Sequence, residues 1–256
     1  MCRDCKKSFM DTTGSAISNS HGGETVWKQV IRDTVDGISL DNTAASLDLH
    51  HSTVFHMRHK ILTCIERTIT AEPVVLSGVC ELDETYVLES CKGRKIPEGY
   101  HRKPRKRGGK ASKPGLSKEQ ICICAGVNGD GENIATTVNR AAPSRAEISQ
   151  VFLERITDDT TILCDGSKNY DTFESVCTVA HVKHPNKVNG LHGFIKERLR
   201  SMRGIATIYQ NRYNALFAEI YGDLEAAVNR IYELMISCNG SFSSIADVKT
   251  RNLCNV

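Results

Sequence analysis

The sequence predicts a mixed α/β protein, with a sheet domain in the middle of the chain and a small helical domain before it. Three observations carry this. Between residues 24 and 68 apolar residues recur at spacings of three and four, the period of a helix. From Val79 onward short runs of β-formers alternate with helix-like segments. Pro73 stands between the two regions as a linker mark.

The totals agree with that division. A chain of 256 residues has room for two or three units, at least one with a sizeable core. With 40% hydrophobic and 25% charged residues the composition is that of an ordinary globular protein. A net charge of +3 is too small to argue for nucleic acid by itself, so the distribution of charge has to carry that question. No apolar run reaches membrane-spanning length, and polar residues fill the first twenty positions where a signal peptide would lie. The eleven cysteines are odd in number, and Cys80, Cys122, Cys124 and Cys164 sit inside apolar runs, where a reduced thiol acts as a small hydrophobe. The expectation is a soluble, cytoplasmic protein with no membrane partner.

In chain order, residues 1–14 hold Cys2-x-x-Cys5 followed by basic residues and an aromatic, the look of one zinc knuckle. A tetrahedral site needs four ligands, and there is no second CxxC. His21 is the nearest further candidate. The reading is a partial zinc ribbon at a truncated N-terminus, with Zn2+ doubtful.

Residues 24–68 are expected to be helical. Glu24 to Val35 puts Val26, Trp27, Val30, Ile31 and Val35 on one side, with Gly37 after it as a cap. A short helix from Leu40 through Leu47 follows, then a tight turn near Leu49, then a longer helix capped by Ser52. That helix turns Val54, Phe55, Met57, Ile61 and Leu62 inward and shows Thr53, His56, Arg58, His59 and Lys60 on its other face. Two helices joined by a tight turn, the second basic and polar, form a helix-turn-helix pattern, and Thr53, His56, Arg58 and Lys60 are its candidate DNA contacts.

The sheet domain opens with Val79–Glu89, in which Asp83 lies inside a strand. A carboxylate there is costly unless something cationic meets it. A second run of β-formers, Thr160 to Cys164, delivers Asp165 to a Gly-Ser turn. Two acids carried by strands suggest one metal site. Between them lie a hairpin, with strands at 120–127 and 134–138, and a helix capped by Ser144 and reaching about Ile156. A short helix at 170–176, a strand at 177–182 and a basic helix at 189–202 come next. Three strands, a helix, a strand, a helix and a strand are the order of the ribonuclease H fold. Residues 205–237 read as two C-terminal helices, so the sheet domain is assigned to 74–204.

Within it, residues 90–118 form a loop of one sign. Arg102, Arg105, Lys106, Arg107 and Lys110 are among eleven cations that meet only Glu98 as an interior acid, and glycines and prolines break any helix. Such a flexible cationic loop suits a phosphate backbone.

These residues together resemble bacterial insertion-sequence transposases, within them the group often called family fifteen-ninety-five. The resemblance is carried by ELDETY, the basic loop, CDGSKNY and VNGLHGFIKERLRSMRGIATIYQNRYNALF, in that order, and covers Cys2 to about Ala218. It implies a DDE-type recombinase that cuts and joins double-stranded DNA, transposon ends and target alike, as a homo-oligomer in a synaptic complex. It further implies that Asp83 and Asp165 hold two Mg2+ (or Mn2+) ions. Where related transposases carry a third acid, this chain has Asn189, with His192 one turn on; part of the family is similar in pairing asparagine with a lysine seven positions later, here Lys196. Asn189 would then be the third ligand and Lys196 a contact to the DNA backbone. Glu197 points about a right angle away from that line on a helix. A DNA-binding protein descended from a transposase but no longer catalytic is the alternative.

Overall fold

The computed structural model describes residues 3–4, 6–20, 22–96, 98–100, 102–103, 109–112 and 115–238. Among the described residues the chain forms two compact units: residues up to 68 together with 222–238, and residues 69–221. Cys2, Cys5 and His21, the zinc candidates, lie outside the described residues.

The first unit is helical. Helix α1 (Glu24–Val35) buries Trp27, Val30, Ile31 and Val35. It ends as the apolar pattern predicts, with Gly37 in the left-handed region and the Ile38 N–H donating back to the Asp33 carbonyl at 2.8 Å. Helix α2 (Leu40–Leu47) is capped by Ser39, whose hydroxyl accepts from the Asn42 N–H, and stops at Asp48, left-handed at φ 51. Helix α3 (His51–Ala71) begins two residues earlier than a Ser52 cap would allow. The His50 carbonyl accepts from Thr53 and Val54, and the Ser52 hydroxyl bonds the His50 ring instead. The last helix, α7 (Leu224–Ser237), packs on α1.

The second unit is built on a five-stranded mixed sheet in the order β3-β2-β1-β4-β5. The strands are β1 (Val79–Leu88), β2 (Gln120–Asn128), β3 (Asn133–Arg140), β4 (Thr161–Cys164) and β5 (Thr178–His181). The pairs β1–β2 and β2–β3 are antiparallel, whereas β1–β4 and β4–β5 are parallel. These are the strand order and directions expected of a ribonuclease H-like core.

Alternation along β1 sends Cys80 and Leu82 into the core formed with Phe152, Phe173 and Tyr170. The same face takes Cys122, Cys124 and Cys164, so the strand thiols are core-filling groups. Gly126 is needed there, because a Cβ would stand 2.7 Å from Leu82 Cδ2 and 2.8 Å from Leu76 Cδ1. Helix α4 (Arg145–Phe152) has the capping box of Ser144 and Glu147. It stops short of Ile156, since the chain turns so that the Arg155 carbonyl accepts from the Leu76 N–H.

The opposite face of β1 turns Glu81 and Asp83 toward helix α5 (Asn186–Ser201). The Glu81 carboxylate accepts from the Val188 N–H at 3.0 Å, so a strand side chain satisfies one of the open donors at the start of α5. Helix α6 (Gln210–Ile220) packs on the edge strand β3. There the Asn211 amide oxygen accepts from the Thr137 N–H at 2.7 Å, closing part of an otherwise open sheet edge. The helices α6 and α7, adjacent in sequence, therefore belong to different units.

Candidate functional site

Asp83 and Asp165 are neighbours by register. Leu82 pairs with Cys164 across the parallel β1–β4 ladder, so Asp83 and Asp165 are the next residue along each strand. At a strand spacing of about 4.8 Å their side chains leave the same face of the sheet side by side. Asp83 Oδ1 accepts from the Glu84 N–H at 2.8 Å, and Asp165 Oδ1 accepts from the Ser167 N–H at 2.9 Å in the turn that ends β4. The Asp165 carbonyl is held in turn by His181 Nδ1 at 2.7 Å, while His181 Nε2 lies 3.2 Å from Asp171.

Helix α5 supplies the other wall. Asn189, His192 and Lys196 recur on one side of it and line an open cleft of about 520 Å3 together with Asp83, Thr85 and the loop residues Gly115 and Leu116. Asn189 lies in the first turn, its Nδ2 donating to the Pro185 carbonyl at 2.5 Å. The helix starts at Asn186, so Asn189 is not its cap. The amide oxygen of Asn189 is not used in that bond. His192 is buried, with Nδ1 3.9 Å from Asp83 Oδ2.

The electrostatics follow from this crowding. Burial raises the Asp83 carboxyl above the usual carboxylate range, and the charge of Asp165 raises it further; the Glu84 N–H and Lys196 oppose the rise. Burial and the Lys196 charge lower His192 to about 4, with Asp83 opposing. On the opposite face Glu84 is pushed up to about 7, chiefly by burial and also by Asp83 and Asp165, although the Tyr170 hydroxyl donates to it at 3.0 Å.

A hard divalent cation fits the donors present. Two adjacent carboxylates, together with a neutral amide oxygen on the facing helix, are the oxygen set that Mg2+ or Mn2+ takes. Among the described residues no group of three or more His, Cys, Asp or Glu is placed to hold a metal ion. Any such site here therefore depends on the asparagine amide or on solvent for its remaining ligands.

The residues named from sequence for DNA contact divide. On α3 Thr53 is exposed, and His56 and Lys60 are half-buried. Arg58 is a correction: it is 4% exposed and donates to Thr34 Oγ1 at 3.2 Å and to the Ile38 carbonyl at 2.8 Å, so it fastens α3 to the end of α1. His59 is buried as well. In the loop Lys110 is exposed, and Arg105, Lys106 and Arg107 lie outside the described residues. Arg102 is a second correction, its side chain only 5% exposed and turned to the Glu89 carbonyl at 3.2 Å. Arg58 belongs to a polar helix face and Arg102 to a run of cations, and neither pattern says which member meets a buried acceptor.

The sequence reading passed over Glu89, the hub of that second cluster. Its carboxylate accepts from the Tyr100 hydroxyl at 2.5 Å and from Arg140 Nη2 at 2.7 Å, with Arg102 Nε at 3.8 Å. A buried acid at the end of β1 thereby ties the root of the basic loop to β3. The signal available was a lone glutamate closing an apolar strand ahead of a cationic loop. Glu81 and His181 were also passed over, since each acts on a backbone group remote in sequence.

No model of a known protein family matches the chain. It is similar to a protein of Halobacterium salinarum described as an uncharacterized protein in transposable element ISH50, 25% identical over 176 residues. The match covers 68% of this chain and 57% of that protein, so the chain matches little more than half the length of its relative. Among solved structures it is similar to the Mos1 transposase paired-end complex with left transposon end, at a TM-score of 0.34 and 12% identity over 91% of this chain and 79% of that one. A pre-cleavage Mos1 transpososome is similar at a TM-score of 0.32 and 12% identity, covering 95% and 83%.

Proposed function

We propose that the chain is a transposase of the insertion-sequence kind, which cuts DNA at transposon ends and joins the freed strands to a target. The observation that carries this is the meeting of Asp83 and Asp165 on adjacent strands, with Asp83 lining one cleft together with Asn189 and Lys196 of the facing helix. The relative encoded in a transposable element supports the reading. So does the basic loop, whose far end, Gly115 and Leu116, borders the cleft.

In this reading Asp83 and Asp165 are the charged ligands of the divalent ions and Asn189 contributes a neutral oxygen. Mg2+ or Mn2+ ions bound there would activate the attacking oxygen and stabilise the leaving one. Lys196 holds the phosphate near the scissile bond as a point charge. His181 and the Ser167 N–H fix the turn that presents Asp165. Thr53, His56 and Lys60 on α3, with Arg105, Lys106, Arg107 and Lys110 in the loop, contact duplex DNA. Two or more copies of the chain pair the ends in a synaptic complex. The partial zinc ribbon at Cys2 and Cys5 and the membership of family fifteen-ninety-five belong to the same proposal. No helix among the described residues is long and apolar enough to cross a membrane.

The test is Mg2+-dependent cleavage and strand transfer on DNA carrying the element's own ends. Asp83→Asn or Asp165→Asn abolishes joined products and leaves DNA affinity within about twofold, because the phosphate contacts remain. An active Asp83→Asn/Asp165→Asn double variant refutes the site. Binding by the wild type without any cleavage moves the protein to the DNA-binding class that has lost catalysis.

A further inference from the structure

The exposed side of α5 extends beyond the residues that line the cleft. At 100° per residue Asn189, Gly193, Lys196 and Arg200 fall within an arc of about 60°, and all four are exposed. A Cβ at Gly193 would meet nothing within 4 Å, so this face is uncovered at its middle. Arg203 follows just past the helix, its N–H donating to the Arg200 carbonyl at 2.9 Å. The start of the basic loop is fastened at this same end. The Ser90 N–H donates to Thr207 Oγ1 at 2.9 Å, the Thr207 N–H donates to the Ser90 carbonyl at 2.9 Å, and Lys92 Nζ donates to the Gly204 carbonyl at 3.0 Å. Arg94 borders a small cavity with Thr207 and Ile208.

A helix dipole draws cations to the last turn, which accounts for Arg198 and Arg200. It does not account for Lys196 farther in, nor for cations brought from another segment. Lys196 and Arg200 are a like-charged i,i+4 pair, which by itself disfavours the helix. Among the described residues neither Arg200 nor Arg203 has an acidic partner. A polyanion laid along the face relieves that repulsion. The rise from Lys196 to Arg200, about 6 Å, is close to the axial rise over two steps of a duplex, about 3.4 Å per phosphate of one strand.

We propose that this face is a phosphate-backbone track, in which Lys196, Arg200 and Arg203, flanked by Lys92 and Arg94, hold the DNA strand that leads away from Asp83 and Asp165. The track deepens the transposase reading and rests on it for the identity of the strand. It is separate from the contacts assigned to α3 and to the tip of the loop.

Binding of the full chain to a labelled random-sequence duplex is measured by fluorescence anisotropy across a salt series, for wild type and Arg200→Gln/Arg203→Gln. Loss of two phosphate contacts lowers the slope of log K against log salt by about 2, at about 0.9 per contact. Far-UV circular dichroism reports whether the variant folds; if it does not, the two single variants are read separately, each expected to lower the slope by about 0.9. Lys92→Gln lowers it by up to about 1. An unchanged slope in the folded variants overturns the track and leaves the cleavage reading standing. A lowered slope in a wild type that never cleaves keeps the track and removes the enzyme. A wild type that binds no duplex overturns the track outright.

Discussion

Glu89 is the residue whose removal should disturb the sheet unit most for its size. Its side chain is 4% exposed, beside Arg102 at 5% and Arg140 at 23%. Glu89→Ala removes two charge-assisted bonds, from the Tyr100 hydroxyl and from Arg140 Nη2, each worth about 1.5–3 kcal/mol. It also leaves two guanidinium groups facing a site with no countercharge. Breaking a buried pair from one side costs about 3–5 kcal/mol, in line with the sum of the two bonds. Urea unfolding followed by far-UV circular dichroism is the assay, with Trp27 fluorescence as the reference for the helical unit. At a slope of about 2 kcal/mol per molar urea the midpoint of the sheet unit falls by roughly 2 M, and the tryptophan transition stays in place. Glu89→Met with both Arg102→Met and Arg140→Met recovers most of the loss, because neither guanidinium is then left facing the vacated site. A loss below about 1 kcal/mol, the value of an exposed ion pair, would refute the reasoning and make the cluster a screened surface pair.

Gly126→Ala puts a methyl 2.7 Å from Leu82 Cδ2, 2.8 Å from Leu76 Cδ1 and 3.2 Å from Phe152 Cε1, and should cost about 1–3 kcal/mol by overpacking, read in the same urea series. Arg58→Leu removes the bonds to Thr34 and Ile38 and should destabilise the helical unit by about 1–3 kcal/mol, seen in the Trp27 transition, while the salt slope of DNA binding is unchanged. Exchange of Arg105, Lys106 and Arg107 for glutamine should lower that slope by up to about 3; an unaltered slope places the loop tip away from DNA.

Local pattern determined much of this protein. The bounds of α1 and α2, the Gly37 stop, the Ser144 cap and the five strands are legible because each depends on residues within one turn or one ladder spacing. Asp83 and Asp165 stood out for the same reason, as acids set against apolar strand runs, and Asn189 and Lys196 came from a motif resemblance together with helical spacing. Tertiary structure alone decided which charges serve the fold. Arg58, Arg102, Glu81 and Glu89 look like surface groups in sequence, yet each meets a partner 11 to 107 positions away. It also decided that α6 closes the edge of β3 while α7 returns to α1. A buried charge is tolerated only where the folded chain brings a donor or countercharge to it, and that meeting depends on long-range register, which no local window contains.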